Sequence, residues 1–271
     1  MSNSKKGPLV ATVLVVVVAL AGAIWFFFLR SDAPPEVDLD TATQQLTSTT
    51  EDPSSTQPTN EGIDGVWVVD SETGDFDFET ATGSFAGFRV TEELAQIGNT
   101  EAVGRTGEVS GTMEISDDTL QSVEIEVVLS GLETDKPRRD TKVQEALATD
   151  EFPTATFVLT EPVDLPEGAT DGEALSVEAP GELTIHGVTE QVTAELEAQL
   201  VDGTAVVVGS IDIDFTDFGI EAPSAPVVLS VSDEATVEFQ LLFTPEGNAA
   251  DGADGGSGST ATTETTTSAA P

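Results

Sequence analysis

The chain contains no cysteine. That excludes disulfides, thiol nucleophiles, cysteine metal ligands and a lipidated-cysteine anchor, so the core must hold by burial alone. Histidine is nearly absent as well, with His186 the only one. Positive charge is scarce: nine basic residues stand against 50 acidic ones, for a formal net charge of −41. Such a surface repels nucleic acid and anionic headgroups, which argues against a nucleic-acid partner. The acidic surface reads as a solubility device, with a specific cationic partner as the rival reading. The chain also lacks a Gly-rich phosphate loop, a Gly-x-Ser-x-Gly elbow, a His-Glu-x-x-His motif and any recognisable pair of catalytic acids. No catalytic residue, metal ligand or cofactor is therefore assigned, and the chain reads as a non-enzyme.

One long apolar run is present. Leu9–Leu29 is uncharged, and Thr12 is its only polar side chain. As a helix it spans about 31 Å, the thickness of a bilayer's hydrocarbon core. Lys5 and Lys6 precede it, which predicts a cytoplasmic N-terminus and a domain outside the cytoplasm. A cleaved signal peptide is the rival reading, since Ala19-Leu20-Ala21 suits a small-residue cleavage site, but the run continues through Ile24–Leu29, longer than a usual signal core. Residues 1–30 are thus expected to be a single N-terminal transmembrane anchor. Residues 31–62, rich in Thr, Ser, Pro and acid, read as a disordered stalk. Residues 247–271 read as a disordered Gly/Ser/Thr/Ala tail, which leaves 63–246 for one folded domain.

Within that domain the apolar residues alternate with polar ones, the period of half-buried strands. Val123, Ile125, Val127 and Leu129 share one face against Glu124 and Glu126. Ala155, Phe157 and Leu159 share another, as do Val192 to Leu200 in steps of two, and Val237, Phe239, Leu241 and Phe243. Gly65–Asp70, Gly74–Val90 and Gly107–Ser116 supply further strands, with Gly181–Gly187 and Thr204–Phe215 later. A short helix is predicted to open at Pro137, since proline suits a helix's first turn. The expected fold is all-β: eight to ten antiparallel strands with one short helix, forming a closed sheet or a sandwich, its inward faces apolar with no charge interleaved. An antiparallel eight-stranded barrel is about the size that holds one small ligand.

These residues carry a resemblance. Trp67–Asp70, Arg139-Asp140, Phe152–Phe157 (FPTATF), Gly181–Val192 (GELTIHGVTEQV) and Asp217–Ile220 (DFGI) fall in the order found in the YceI family, polyisoprenoid-binding proteins with a lipocalin-like barrel. The similarity covers about residues 65–244. One departure is that FAGFRVTEEL lacks the histidine with which many members close their second strand. The resemblance implies a barrel interior that takes an isoprenoid lipid, of polyprenyl or quinone type. A chain of about forty carbons would cost on the order of 30 kcal/mol to expose to water, whereas non-covalent affinities saturate near roughly 20 kcal/mol. Loading and unloading would therefore take place at a bilayer.

The interior candidates are Phe85, Phe88, Val127, Leu129, Phe157, Leu159, Leu183, Ile211, Ile213, Phe215 and Phe218. An apolar tunnel and an ordinary packed core draw on the same residue types, so a cell-envelope interaction module with a filled barrel stands as the alternative. Arg138 and Arg139 are the headgroup candidates, in a cluster with Lys136 and Lys142, because guanidinium matches phosphate. Pairing with Asp135, Asp140 and Glu145 is the plainer reading of that cluster. His186 is expected to be an outward polar strand residue. The spaced pairs Asp75/Asp77 and Asp212/Asp214 are expected on outward faces rather than as metal ligands.

Overall fold

The computed structural model describes residues 33–49, 62–95, 98–223 and 228–247. The proposed anchor and the C-terminal tail lie outside these residues. Among the described residues no helix is long and apolar enough to cross a membrane.

Among the described residues twelve strands form one antiparallel sheet: β1 Gly65–Val69, β2 Phe85–Leu94, β3 Gly98–Thr106, β4 Val109–Ser116, β5 Thr119–Val128, β6 Glu133–Thr134, β7 Thr154–Leu159, β8 Val163–Asp164, β9 Leu175–Ile185, β10 Val188–Val201, β11 Thr204–Asp214 and β12 Val228–Pro245. The path β1-β4-β5-β7-β9-β10-β11-β12 closes on itself, because Val69 at the end of β1 pairs with Phe243 of β12. This is an eight-stranded barrel. At 18 residues β12 is long enough to serve two partners on one edge: Phe243–Pro245 hold β1, and Val228–Gln240 hold β2. β3 and β6 continue outward from β2.

Register is pinned by two-residue turns. His186-Gly187, Asp202-Gly203 and Asp117-Asp118 join consecutive strands, and all six residues have positive φ between 49° and 85°. Such turns match the right-handed twist of a hairpin. His186 is therefore a turn residue at φ 54°, not the strand residue expected. Gly187 has no substitute there, since a Cβ would sit 2.5 Å from the Phe152 ring.

The inward parity of β5, β7, β10 and β12 follows the alternation in the sequence. The stretch before Phe85 departs from it. Residues 70–84 form an irregular loop rather than the beginning of a strand. Asp70 and Asp77 each bind the backbone two and three residues ahead, and these local hydrogen bonds compete with a ladder. β3 is the converse case. GNTEAVGRT has almost no apolar alternation and forms a strand because β2 templates it along nine paired residues.

Among the described residues two short α-helices are present, not one. α2, Pro137–Ala146, opens at the proline as its sequence predicts, and Asp140 ties its first turn back to Thr134 through N–H and Oγ1 contacts of 2.8 and 2.6 Å. α1, Leu39–Thr49, lies inside the stretch expected to be a disordered stalk. Asp38 caps it, accepting from Thr41 Oγ1 at 2.7 Å and Thr41 N at 2.8 Å. Leu39, Ala42 and Leu46 fall on one face and bury against Val206, Val208 and Leu242 on the barrel's outer wall. The physical reason for this correction is in the barrel. Val206, Val208 and Leu242 point away from the interior and are at most 3 % exposed, so something had to cover them.

An isolated helix of eleven residues is marginal in water, so α1 owes its order to this contact. Leu46→Ala is expected to cut amide-exchange protection across 39–49 by about 30-fold, or about 2 kcal/mol, with the barrel strands unaffected. Unchanged protection would mean that the contact does not hold the helix. The cap adds a pH dependence. The Thr41 hydroxyl, then the Thr41 N–H, hold the Asp38 carboxyl below its usual range. The cap's contribution is therefore complete above the unfolded carboxylate value of about 3.9 and is lost as pH falls through the lower folded value.

Candidate functional site

The barrel encloses a cavity of about 980 Å³. Phe88, Val127, Phe157, Leu183, Ile211 and Ile213 line it, as their inward strand parity requires, and Leu129 and Phe215, just beyond β5 and β11, line it too. Leu159 packs against the two interior clusters without reaching the cavity surface. Phe218 is 1 % exposed within the core, in the turn after β11. Phe85 is a correction. It pairs with Gln240 on the outer wall, and Arg105 stacks over its ring at 4.6 Å. Phe85 and Phe88 are three residues apart on one strand, an odd separation, so they cannot share a face.

The cavity stays open partly because its aromatic rings have somewhere to lie. Phe88 covers Gly104, Phe157 covers Gly181 and Phe239 covers Gly209. A Cβ at any of these glycines would meet the ring within 2.4 to 2.7 Å. With hydrogen there instead, each ring settles against the neighbouring strand rather than projecting across the interior.

The two ends differ. One is packed by Ile63, Trp67, Leu120 and Ala169, and the Trp67 indole donates to Ile63 O at 2.9 Å. The other end is roofed by α2, whose Val143 and Ala146, with Leu147 just beyond, reach the lining from above. All the charged lining residues belong to this end: Glu92, Lys136, Arg138, Arg139 and Lys142. Glu92 breaks the expected rule of no inward charge. It is 5 % exposed and accepts from Arg139 Nη2 at 2.7 Å. Its inward parity with Phe88 and Val90 was readable from the strand, but a lone acid in so acidic a chain carries no signal.

The two headgroup candidates have different surroundings. Arg139 is held between Glu92 and Asp135, an arrangement that latches α2 to β2. Lys136 pairs with Asp135, and Lys142 with Glu145 at 2.5 Å. Arg138 is exposed at the rim, with no ion-pair partner among the described residues. The cluster is thus largely neutralised and leaves one free guanidinium at the mouth.

The other singled-out residues are local. His186 Nδ1 lies 3.1 Å from Phe218 O, with its ring edge-on to Phe152 at 5.1 Å. Asp77 caps a turn, as does Asp214, and Asp212 accepts from Thr236 Oγ1 at 2.9 Å. Among the described residues no three His, Cys, Asp or Glu side chains converge as a metal site would need.

Similar folds appear among solved structures at low identity. A polyisoprenoid-binding domain from Saccharophagus degradans is 19 % identical, with a TM-score of 0.49 over 66 % of this chain and 98 % of its own. BcnA of Burkholderia cenocepacia is 19 % identical, with a TM-score of 0.44 over 58 % of this chain and 95 % of its own. The YceI protein of Campylobacter jejuni is 17 % identical, with a TM-score of 0.39 over 51 % and 82 %. A comparison with curated proteins finds no match. The model of the YceI-like domain matches residues 67–243, from the Trp67 strand to the one that closes the barrel. The chain belongs to the YceI-like family.

Proposed function

We propose that this chain binds an isoprenoid lipid, of polyprenyl or quinone type, and is held at the outer face of the cytoplasmic membrane by Leu9–Leu29. The observation that carries this reading is the cavity. At about 980 Å³ it stands at the upper end of the roughly 300–1,000 Å³ usual for small-molecule pockets, and its charged groups are confined to one end. That is the shape of a lipid with one polar terminus. The tail fills the barrel, and the polar terminus sits under α2 beside Arg138. Membership of the YceI-like family agrees with this ligand class.

Native mass spectrometry tests it, on the full chain extracted in mild detergent from the membrane in which it was made. The expected result is a discrete added mass that organic solvent removes and that fragments as an isoprenoid. A ligand-free mass that persists after incubation with isoprenoid-loaded vesicles would favour the interaction-module reading. Chemically altered isoprenoid after incubation would favour an enzyme. Arg138→Ala is expected to weaken retention of a lipid with an anionic terminus by about tenfold, the value of one charge-assisted hydrogen bond, and to leave a lipid with a neutral terminus nearly unaffected.

A further inference from the structure

We infer that the segment preceding α1 is a rigid mount that turns the mouth of the barrel onto an anionic bilayer. The inference rests on the proposed anchoring through Leu9–Leu29.

The mount is an ion network on the barrel's outer wall. Glu238, 2 % exposed, accepts from Arg105 Nη2 at 2.7 Å and Arg105 Nε at 2.9 Å, and pairs with Arg89 Nη2 at 3.3 Å. The same guanidinium groups clamp the incoming chain. Arg89 Nη2 donates to Pro34 O at 2.9 Å, and Arg105 Nη2 donates to Pro35 O at 2.7 Å. Proline suits this role, because both its φ and its lack of an N–H favour an extended strap that offers only acceptors.

The strap has a direction. Pro34 lies at Arg89, and Pro35 at Arg105, which pairs with Gly87, further from the mouth on β2. α1 then covers Val206 and Leu242, further still. The chain therefore enters from the mouth side and runs towards the packed end. From Leu29 to Pro34 is five residues, at most about 17 Å of extended chain. The rim of β2 at Leu94 lies five residues beyond Arg89, about 13 Å along the barrel axis once strand tilt is allowed for. The opposite end of β12, at Pro245, lies nine residues from Thr236, the partner of Arg89, or about 23 Å. The tether reaches a membrane facing the mouth and falls short of one facing the packed end.

The rim has the chemistry for that contact. Arg89 and Arg105 are buried under the strap, so the exposed basic side chains among the described residues, Lys136, Arg138 and Lys142, all stand on α2 or at its N-terminal cap, at the mouth. Leu229, at the rim end of β12 where Val228 pairs with Leu94, is 63 % exposed. Lys136 and Lys142 are paired with Asp135 and Glu145, so the free guanidinium of Arg138, on the same rim as an exposed leucine, is the group that suits an anionic headgroup layer, whereas the unpaired acids of this surface are repelled by one.

The absence of cysteine makes the test clean. A single cysteine is placed at Thr141→Cys, on the exposed face of α2, or at Glu167→Cys, in the exposed loop at the packed end. Each full-length variant carries an environment-sensitive dye and is reconstituted in phosphatidylcholine vesicles with about one-third phosphatidylglycerol and headgroup-quencher lipid. The Thr141→Cys dye is expected to be quenched at least threefold more than the Glu167→Cys dye. Ten Gly/Ser residues inserted between Asp32 and Ala33 leave the strap's contacts in place and are expected to abolish most of that difference. Equal quenching, or stronger quenching of the Glu167→Cys dye, overturns the mount. Intact mass on the same samples separates the two levels of the proposal: a chain shortened near Ala21 and released from the vesicles overturns the anchor, and the mount with it.

Discussion

Ala235→Phe is expected to expel the bound lipid from a barrel that remains folded. Ala235 lies on β12 opposite Val90 of β2 and Ile213 of β11, and it lines the cavity in the half nearer the mouth. A ring at this position has open space to enter. The cost of overpacking, about 1–3 kcal/mol in a filled core, should therefore fall at or below the lower end of that range. The lipid loses the same space. Retention is expected to drop at least 100-fold, about 2.7 kcal/mol, read as loss of the added mass in native spectra, while the thermal midpoint moves by no more than about 3 °C. Ala198→Phe makes the complementary cut. Ala198 pairs with Leu175 and Val207, towards the packed end. A ligand that spans the cavity is rejected by both variants, and a shorter one only by Ala235→Phe, so the pair measures how far the tail reaches. Full lipid occupancy in both variants would place the ligand outside this cavity.

The second large effect lies on the outer wall. Glu238→Leu is expected to cost about 3–5 kcal/mol, because it leaves the Arg89 and Arg105 guanidinium groups buried without their shared anion. For a domain of this size that is roughly 10 °C in the thermal midpoint. The network is an imperfect one even intact, since the Nε of Arg89 is buried without a hydrogen-bond partner. Replacing the three buried charges, as Arg89→Met, Arg105→Met and Glu238→Leu together, and leaving the exposed Glu101 that also pairs with Arg89, is therefore expected to return most of the lost barrel stability, as buried ion groups replaced by apolar ones often do. The strap should not recover. Pro34 and Pro35 lose their donors in the triple variant, so exchange protection over 39–49 should stay low while that of β2, β3 and β12 returns. If strap protection returned with barrel stability, the clamp on the proline carbonyls would have no part in docking α1.

How much of this was legible depends on what each residue had to oppose. The alternations of β5, β7, β10 and β12 were strong because each of these strands divides apolar from polar residues, so parity alone placed Val127, Phe157 and Val237 inside. The start of α2 was legible at Pro137. Phe85 was misplaced because residue type outweighed parity, although its odd separation from Phe88 on β2 already put the two rings on opposite walls. α1 was missed because three apolar residues in eleven read as coil. A signal existed, in Leu39, Ala42 and Leu46 following the capping Asp38, and in the unbroken run Ala205–Val208. A strand with apolar residues on both sides needs cover on both sides.

The sequence by itself determined the all-β class and the inward faces of the alternating strands, since two-residue periodicity is a local property. It also determined that the barrel must hold without disulfides and that scarce positive charge would gather near residues 136–142. Tertiary structure alone decided three things. Whether the interior is a cavity or a filled core depends on aromatic rings meeting glycines on neighbouring strands. The inward Glu92 found its cation 47 residues away in Arg139, a distance no local pattern spans. The segment before α1 became an ordered strap because Arg89, Arg105 and Glu238, distant from one another in the chain, meet on one wall and need its carbonyl groups.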